Sequence, residues 1–100
     1  MEVIITQQDS EIVAQFIGRL DTPASQDVAK AVEPLIEAAD KTIVLDCTEL
    51  SYISSSGLRI FLTIRKASLS KGGKVIVRNI NDSIRQVFMM TGFLNLFVIE

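Results

Sequence analysis

Short apolar segments of strand length alternate with longer amphipathic segments along the chain, and this alternation constrains the fold more than any other feature of the sequence. Runs rich in valine and isoleucine are typical of strands, and apolar residues at helical spacing between them predict connecting helices. Strands are predicted at residues 3–7, 11–17, 42–46, 75–77 and 96–99. A chain of 100 residues has room for one domain of this kind, covering residues 1–100.

Three helices are predicted between the strands, at residues 22–39, 58–70 and 81–92. The first is expected to begin with Thr22 as a hydroxyl cap and Pro23 as its first helical residue, and to bend at Pro34. Asn81 is expected to cap the third helix. The glycines at positions 72–73 are expected to end the second helix, since glycine readily takes a positive φ.

The connections between these elements predict how the strands are arranged. Only three residues, 8–10, separate the first two strands, which indicates an antiparallel hairpin. The backbone is then expected to leave the sheet at residues 18–21, and residues 50–57 are expected to form a serine-rich loop. The sequence therefore predicts an α/β fold, with a mixed sheet, an N-terminal hairpin and helices packed on the sheet. The element order is β-β-α-β-α-β-α-β.

The second predicted helix has a wider apolar surface than one core-facing stripe requires. The residues expected to face the core are Leu58, Phe61, Leu62 and Leu69. Ile60 and Ile64 lie outside that stripe. Either neighbouring elements bury these two isoleucines, or part of this surface binds a partner protein.

The composition excludes several classes of protein. The net charge is −2 without a basic run, so no nucleic-acid partner is expected, and no apolar run is long enough to predict a membrane span. Cys47 is the only cysteine, which indicates a reducing cytoplasm, and it is expected to be a buried, inert thiol. Without histidine, Ser-His and Cys-His nucleophile pairs are absent. No enzyme activity, catalytic residue, metal or cofactor is therefore expected.

The serine-rich segment at residues 54–59 reads SSSGLR and lies where a buried strand leads into a helix. Backbone N–H groups of a first helical turn are unpaired, so a phosphate on a serine there would be accepted without unfolding the domain. Serine before a helix is also an ordinary cap. The spacing alone does not choose between a cap and a phosphorylation switch.

Three segments of the chain together resemble a known family. Residues 54–59, preceded by residues 46–53, resemble the signature of STAS domains of the bacterial anti-sigma factor antagonist type. Residues 18–21, reading GRLD, resemble the loop after the second strand of that family, and residues 79–93 resemble its last helix region. The matches occur in the family's order and cover nearly all of the chain.

The resemblance implies a regulatory function. Such proteins bind an anti-sigma factor that is also a serine kinase, which frees a sigma factor for transcription; the kinase phosphorylates the antagonist and a serine phosphatase reverses this. Carried onto this sequence, the acceptor is Ser55, with Ser54 and Ser56 as minor candidates. The resemblance implies partner contacts at Asp21, Ser54, Ser56, Gly57, Leu58 and Arg59. The ATP and magnesium belong to the kinase, and the free antagonist is expected to be a cytoplasmic monomer.

Several of these residues also have a purely structural interpretation. Asp21 could begin a turn or helix, and Arg59 could simply be solvated. Tyr52 and Ile53 could anchor the core beneath the loop instead of contacting a partner. Two other functions stay open at this point: a STAS subunit of a transport or lipid-trafficking assembly that is not phosphorylated, and a small enzyme or nucleotide-binding protein.

Overall fold

A computed structural model describes all residues, 1–100, as a sheet with helices connecting its strands. The strands are β1 (Glu2–Gln7), β2 (Glu11–Leu20), β3 (Thr42–Asp46), β4 (Leu50–Ile53), β5 (Lys74–Arg78) and β6 (Val98–Ile99). The helices are α1 (Thr22–Ala31), α2 (Glu33–Glu37), α3 (Ser55–Lys71) and α4 (Asp82–Thr91), and a single 3₁₀ turn covers Phe93–Asn95. The predicted α/β class and the alternation of strands and helices are confirmed.

The sheet is mixed, as predicted. Its strand order is β1-β2-β3-β5-β6, with β4 paired to β2 outside this path. β1 and β2 form the antiparallel hairpin at one edge, and β2, β3, β5 and β6 run parallel to one another. Parallel neighbours require a crossover connection, which the helices supply.

β2 pairs with different strands along its length, and here two predictions are wrong. Its first half pairs with β3 and its last residues, from Gly18 to Leu20, pair with β4, with an irregularity between Gly18 and Arg19. Residues 18–20 therefore stay in the sheet, and residues 50–53 form a strand instead of a loop. Backbone hydrogen bonds between distant segments hold this pairing: Gly18 N–H donates to Glu49 O at 2.9 Å. Pairing between segments so far apart in the sequence produces no alternating apolar pattern within either segment, so the sequence alone did not indicate it.

The residues predicted to cap the helices agree with the structure, except for the cap of α1. Asp21, not Thr22, caps α1: its Oδ1 accepts a hydrogen bond from Ala24 N–H at 3.0 Å. A carboxylate one residue earlier competes successfully with the threonine hydroxyl. The predicted interruption near Pro34 is confirmed, because α1 ends at Ala31 and α2 begins at Glu33. Gly72 ends α3 with φ +77°.

All four helices pack into the same hydrophobic core. Side chains from each helix belong to one cluster of 23 buried residues, together with the alternate strand residues that point toward the helices. Aromatic rings occupy its centre: Phe16, Phe61, Phe88, Phe93 and Phe97. Ile60 and Ile64 are both buried, which confirms that neighbouring elements cover them.

Two predictions in the C-terminal half of the chain are wrong: the burial of Leu69 and the extent of the final strand. Leu69 was expected to face the core but is exposed, because an open cleft lies beside the last turns of α3. The final strand is limited to Val98–Ile99 instead of residues 96–99, since Leu96 ends the 3₁₀ turn with helical backbone angles, φ −95° and ψ −22°. None of the helices is long and apolar enough to span a membrane.

Candidate functional site

The candidate site lies at the carboxyl ends of the neighbouring strands β2 and β4. The two strands are parallel, with Leu20 opposite Ile53, and each leads directly into a helix. Ser54 N–H donates to Leu20 O at 2.9 Å, which extends the pairing by one residue. The N-terminus of α1, with its cap Asp21, therefore lies beside the N-terminus of α3.

Ser54 is the cap of α3. Its backbone is extended, and its Oγ accepts a hydrogen bond from Gly57 N–H at 3.2 Å. The residue is buried. The cap interpretation of the serine triplet therefore holds for Ser54, and the helix begins three residues earlier than the sequence predicted.

Ser55 is the first residue of α3 and is exposed. Its hydroxyl makes no hydrogen bond within the chain, in contrast to Ser54. The unpaired N–H groups of the first helical turn and the helix dipole favour negative charge at this end of α3. Ser56 follows in the helix and is half-buried. A phosphate on Ser55 would thus lie in solvent beside a helix N-terminus.

Gly57 and Leu58 form the inner side of this segment. Both are buried, and a Cβ atom at position 57 would lie 2.9 Å from Ile53 Cγ1. Arg59 is exposed and forms no salt bridge. Of the six residues expected to contact a partner, the structure brings Asp21, Ser56 and Arg59 to the accessible surface around Ser55, and it buries the other three.

Beside the site, Arg19 and Tyr52 form a contact that sequence reasoning missed. They are register partners on β2 and β4, and the Arg19 guanidinium carbon lies 4.3 Å from the centroid of the Tyr52 ring. A cation–π contact between exposed side chains contributes roughly 0.5–1 kcal/mol. The tyrosine is exposed, whereas Ile53 is buried as a core anchor. No local sequence signal reveals this pair, because it depends on the pairing of β2 with β4.

A polar network holds the turn that leads into β4. Asp46 Oδ1 accepts hydrogen bonds from Thr48 N–H at 3.1 Å and from Thr48 Oγ1 at 2.6 Å. Asn79 Nδ2 donates to Thr48 Oγ1 at 3.0 Å, and Asn81 Nδ2 donates to Leu50 O at 3.1 Å. The loop before α4 is thereby tied to the strand that precedes Ser55.

The acidic side chains and the single cysteine provide neither a metal site nor a reactive thiol. No three His, Cys, Asp or Glu side chains are grouped so that they could hold a metal ion. Burial, and secondarily the charge of Asp46, raises the pKa of the Cys47 thiol to about 12. Cys47 is buried, as expected. A thiol in this state is protonated and a poor nucleophile at neutral pH.

Comparison with known proteins gives a consistent result. The STAS domain family model matches residues 2–100. The anti-sigma-B factor antagonist of Bacillus subtilis is 27% identical over 93 residues, which cover 92% of this chain and 84% of that protein.

The fold is also found in solved structures. The unphosphorylated form of the anti-sigma factor antagonist SpoIIAA superposes with a TM-score of 0.75 at 20% identity, covering 99% of this chain and 87% of that one. The phosphorylated form of SpoIIAA from Bacillus gives a TM-score of 0.75 at 21% identity, covering 99% and 91%. At such identities the similarity shows a shared fold.

Proposed function

This chain belongs to the STAS domain family, and from that premise we propose that it is an anti-sigma factor antagonist controlled by phosphorylation of Ser55. In the unphosphorylated state it binds an anti-sigma factor of the serine-kinase type, so that the sigma factor is released for transcription. The observation that carries the proposal is the exposed, unpaired hydroxyl of Ser55 at the first position of α3. The names of similar proteins support the same function.

The three serines differ in their availability as acceptors. The Ser54 hydroxyl is buried and engaged as the cap of α3. Ser56 is half-buried, whereas Ser55 is exposed. A kinase must bring the acceptor oxygen to the γ-phosphate of ATP, so an exposed hydroxyl without a competing hydrogen bond is the most accessible acceptor. Ser55 is therefore the proposed site, and Ser54 and Ser56 are minor ones.

Phosphorylation at this position would change the surface and preserve the core. A phosphoserine adds about −1.5 to −2 charges at neutral pH. Ser55 contributes nothing to the hydrophobic cluster, and the N-terminus of α3 favours the added charge. Repulsion or desolvation of about 3 kcal/mol in the complex would lower affinity roughly a hundredfold. That change is large enough for a switch between bound and free states.

The proposed partner surface surrounds Ser55. It consists of Asp21, Ser56 and Arg59 at the surface, with Gly57 and Leu58 beneath them fixing the start of α3. In this proposal the domain spans residues 1–100, acts as a monomer in the cytoplasm and supplies only the acceptor hydroxyl. The kinase supplies ATP and magnesium, and a serine phosphatase restores the unphosphorylated form.

The experiment is intact-mass and peptide mass spectrometry of the protein purified from its own host, together with affinity capture of its partner. We expect one phosphate mapped to Ser55 and absent from Ser55→Ala. The matched control is Ser70→Ala, an exposed serine on the same helix, which should leave the phosphate in place. The captured partner should contain a kinase domain and should phosphorylate the purified wild-type chain.

The opposite result is equally clear. If the protein carries no phosphate under any growth condition and captures transporter or lipid-trafficking subunits instead, the switch is wrong. The chain would then be a STAS subunit of such an assembly, acting without phosphorylation.

A further inference from the structure

A cleft of about 260 Å³ lies at the opposite end of α3 from Ser55. It is bounded by the last turns of α3, the start of β5 and the segment before β6. Arg65, the first of its residues on α3, is ten positions after Ser55, which corresponds to about 15 Å along the helix. The cleft is therefore separate from the proposed phosphorylation site.

Apolar side chains line the cleft and stay exposed to solvent. Leu69 is 62% exposed, Val98 is 51% exposed and Leu96 is 37% exposed. Single exposed apolar residues are ordinary on protein surfaces, but three that line one concavity form a surface suited to an apolar ligand. No element of this chain covers them.

The charged groups of the cleft are all positive. Arg65 and Lys74 line it, and no acidic residue does. Arg65 Nε–H donates to Leu96 O at 2.8 Å, which orients the guanidinium while leaving its terminal N–H groups without a partner in the chain. The only salt bridge in the structure joins Arg78 and Glu100, so neither cation of the cleft is neutralised. This arrangement favours an anion.

Ser68 provides an independent sign of an incomplete site. It lines the cleft, is only 2% exposed, and its Oγ is the one buried side-chain polar atom without a hydrogen-bond partner. Leaving a buried hydroxyl unpaired is unfavourable, and nearly all such groups in folded proteins have partners. Its unpaired hydroxyl is therefore a candidate hydrogen-bond donor to an acceptor held in the cleft.

We propose that this cleft binds a small amphipathic carboxylate, with the carboxylate at Arg65 and Lys74 and a short alkyl chain against Leu69, Leu96 and Val98. The guanidinium fork of arginine matches the two oxygens of a carboxylate. The cleft has a volume of about 260 Å³ and is open to solvent, so it offers room for a short alkyl chain such as that of octanoate. The proposal is independent of the function assigned to Ser55.

The test is a titration of the full-length protein with sodium octanoate, followed by calorimetry and by amide NMR shifts. We expect saturable binding at millimolar concentration or below, with shifts confined to the end of α3, β5 and β6. Arg65→Gln and Lys74→Gln should each weaken binding about tenfold or more, a loss of about 1.4 kcal/mol per tenfold change. Ser68→Ala should weaken it less. The matched control, Lys66→Gln, removes an exposed cation from α3 outside the cleft and should bind like wild type.

Two comparisons make the result decisive. Octylammonium has the same chain with the opposite charge, so binding equal to that of octanoate would overturn the role of the cations. Absence of saturable octanoate binding by the folded wild-type protein would overturn the proposal, as would full retention of binding in both Arg65→Gln and Lys74→Gln. Amide spectra of each variant identify those that keep the native fold, and only these enter the comparison.

Discussion

Gly57 lies against the side chain of Leu20 so closely that a Cβ atom at position 57 would be 2.7 Å from Leu20 Cγ. The same Cβ atom would lie 2.9 Å from Leu20 Cδ2. The start of α3 thus rests directly on the end of β2, with no space for a side chain between them. This contact therefore helps to position the first turn of α3, which begins at Ser55, against β2.

We predict that Gly57→Ala destabilises the protein, although alanine is normally the better helix former. The added methyl group overlaps Leu20 and Ile53, and such overpacking costs about 1–3 kcal/mol. Urea denaturation measures the change in the free energy of unfolding. Leu20→Val combined with Gly57→Ala should cost less than the sum of the single changes, because the smaller side chain relieves the overlap. A stability of Gly57→Ala equal to or above that of wild type would contradict the packing.

Ser54→Ala should lower the free energy of unfolding by about 1 kcal/mol, because Gly57 N–H loses its acceptor at the N-terminus of α3. Ser54→Asp should keep most of the stability, since a carboxylate also caps a helix. Urea denaturation midpoints distinguish these outcomes. Ser70→Ala, at an exposed serine without side-chain hydrogen bonds, serves as the control and should change stability by less than about 0.5 kcal/mol.

Asn81 has two hydrogen bonds that one substitution can separate. Its Oδ1 accepts from Ile84 N–H at 2.8 Å, and its Nδ2 donates to Leu50 O at 3.1 Å. Asn81→Ala removes both and should cost about 1–3 kcal/mol, whereas Asn81→Asp keeps the cap and should cost less. Thermal or urea denaturation gives both values. Equal losses in the two variants would mean that the bond to Leu50 carries the whole effect.

The Cys47 thiol should be unreactive in the folded protein. Its pKa is raised from 9.0 to about 12, which lowers the thiolate fraction at pH 8 about a thousandfold. A colorimetric disulfide reagent should therefore label Cys47 very slowly in buffer and rapidly in denaturing urea. Fast labelling of the native chain, at the rate found in urea, would show that the thiol is accessible and ionised.

The same thiol makes stability depend on alkaline pH. Above pH 9.0 the thiol ionises in the unfolded chain but stays protonated in the native one until about pH 12. The unfolded state then binds fewer protons, so this contribution to stability is complete below pH 9.0 and decreases as the pH rises toward 12. Denaturation at several alkaline pH values should show a steeper decrease for wild type than for Cys47→Ala. Parallel slopes would exclude Cys47 as the cause.

The sequence predicted elements whose signals are local. The strand at residues 42–46 is a continuous apolar run, and the ends of α3 and α4 carry Gly72 and Asn81, whose chemistry acts within a few residues. The expectation that the serine triplet lies between a strand and a helix rests on the same kind of signal, although α3 begins at Ser55, three residues before the predicted start. These predictions required no knowledge of which segments pair.

The missed elements depend on pairing between distant segments. β4 has only two buried residues, Leu50 and Ile53, around two exposed ones, so its sequence resembles a loop. Its strand conformation comes from hydrogen bonds to β2, about thirty residues earlier. The Arg19–Tyr52 contact follows from the same strand pairing, and the exposure of Leu69 likewise depends on the tertiary arrangement. The pattern of apolar and polar residues within a short segment does not predict such features.

The division of β2 between several partner strands also has a consequence for synthesis of the chain. The β1–β2 hairpin can form as soon as its residues leave the ribosome, but Leu20 meets its partner Ile53 only after the intervening residues have been translated. Long-range parallel pairing is also slow to form, because closing a long loop costs entropy before its contacts are made. The segment around Ser55 acquires its shape only then. A nascent chain from which Ile53 has not yet emerged therefore lacks the strand pairing that precedes Ser55.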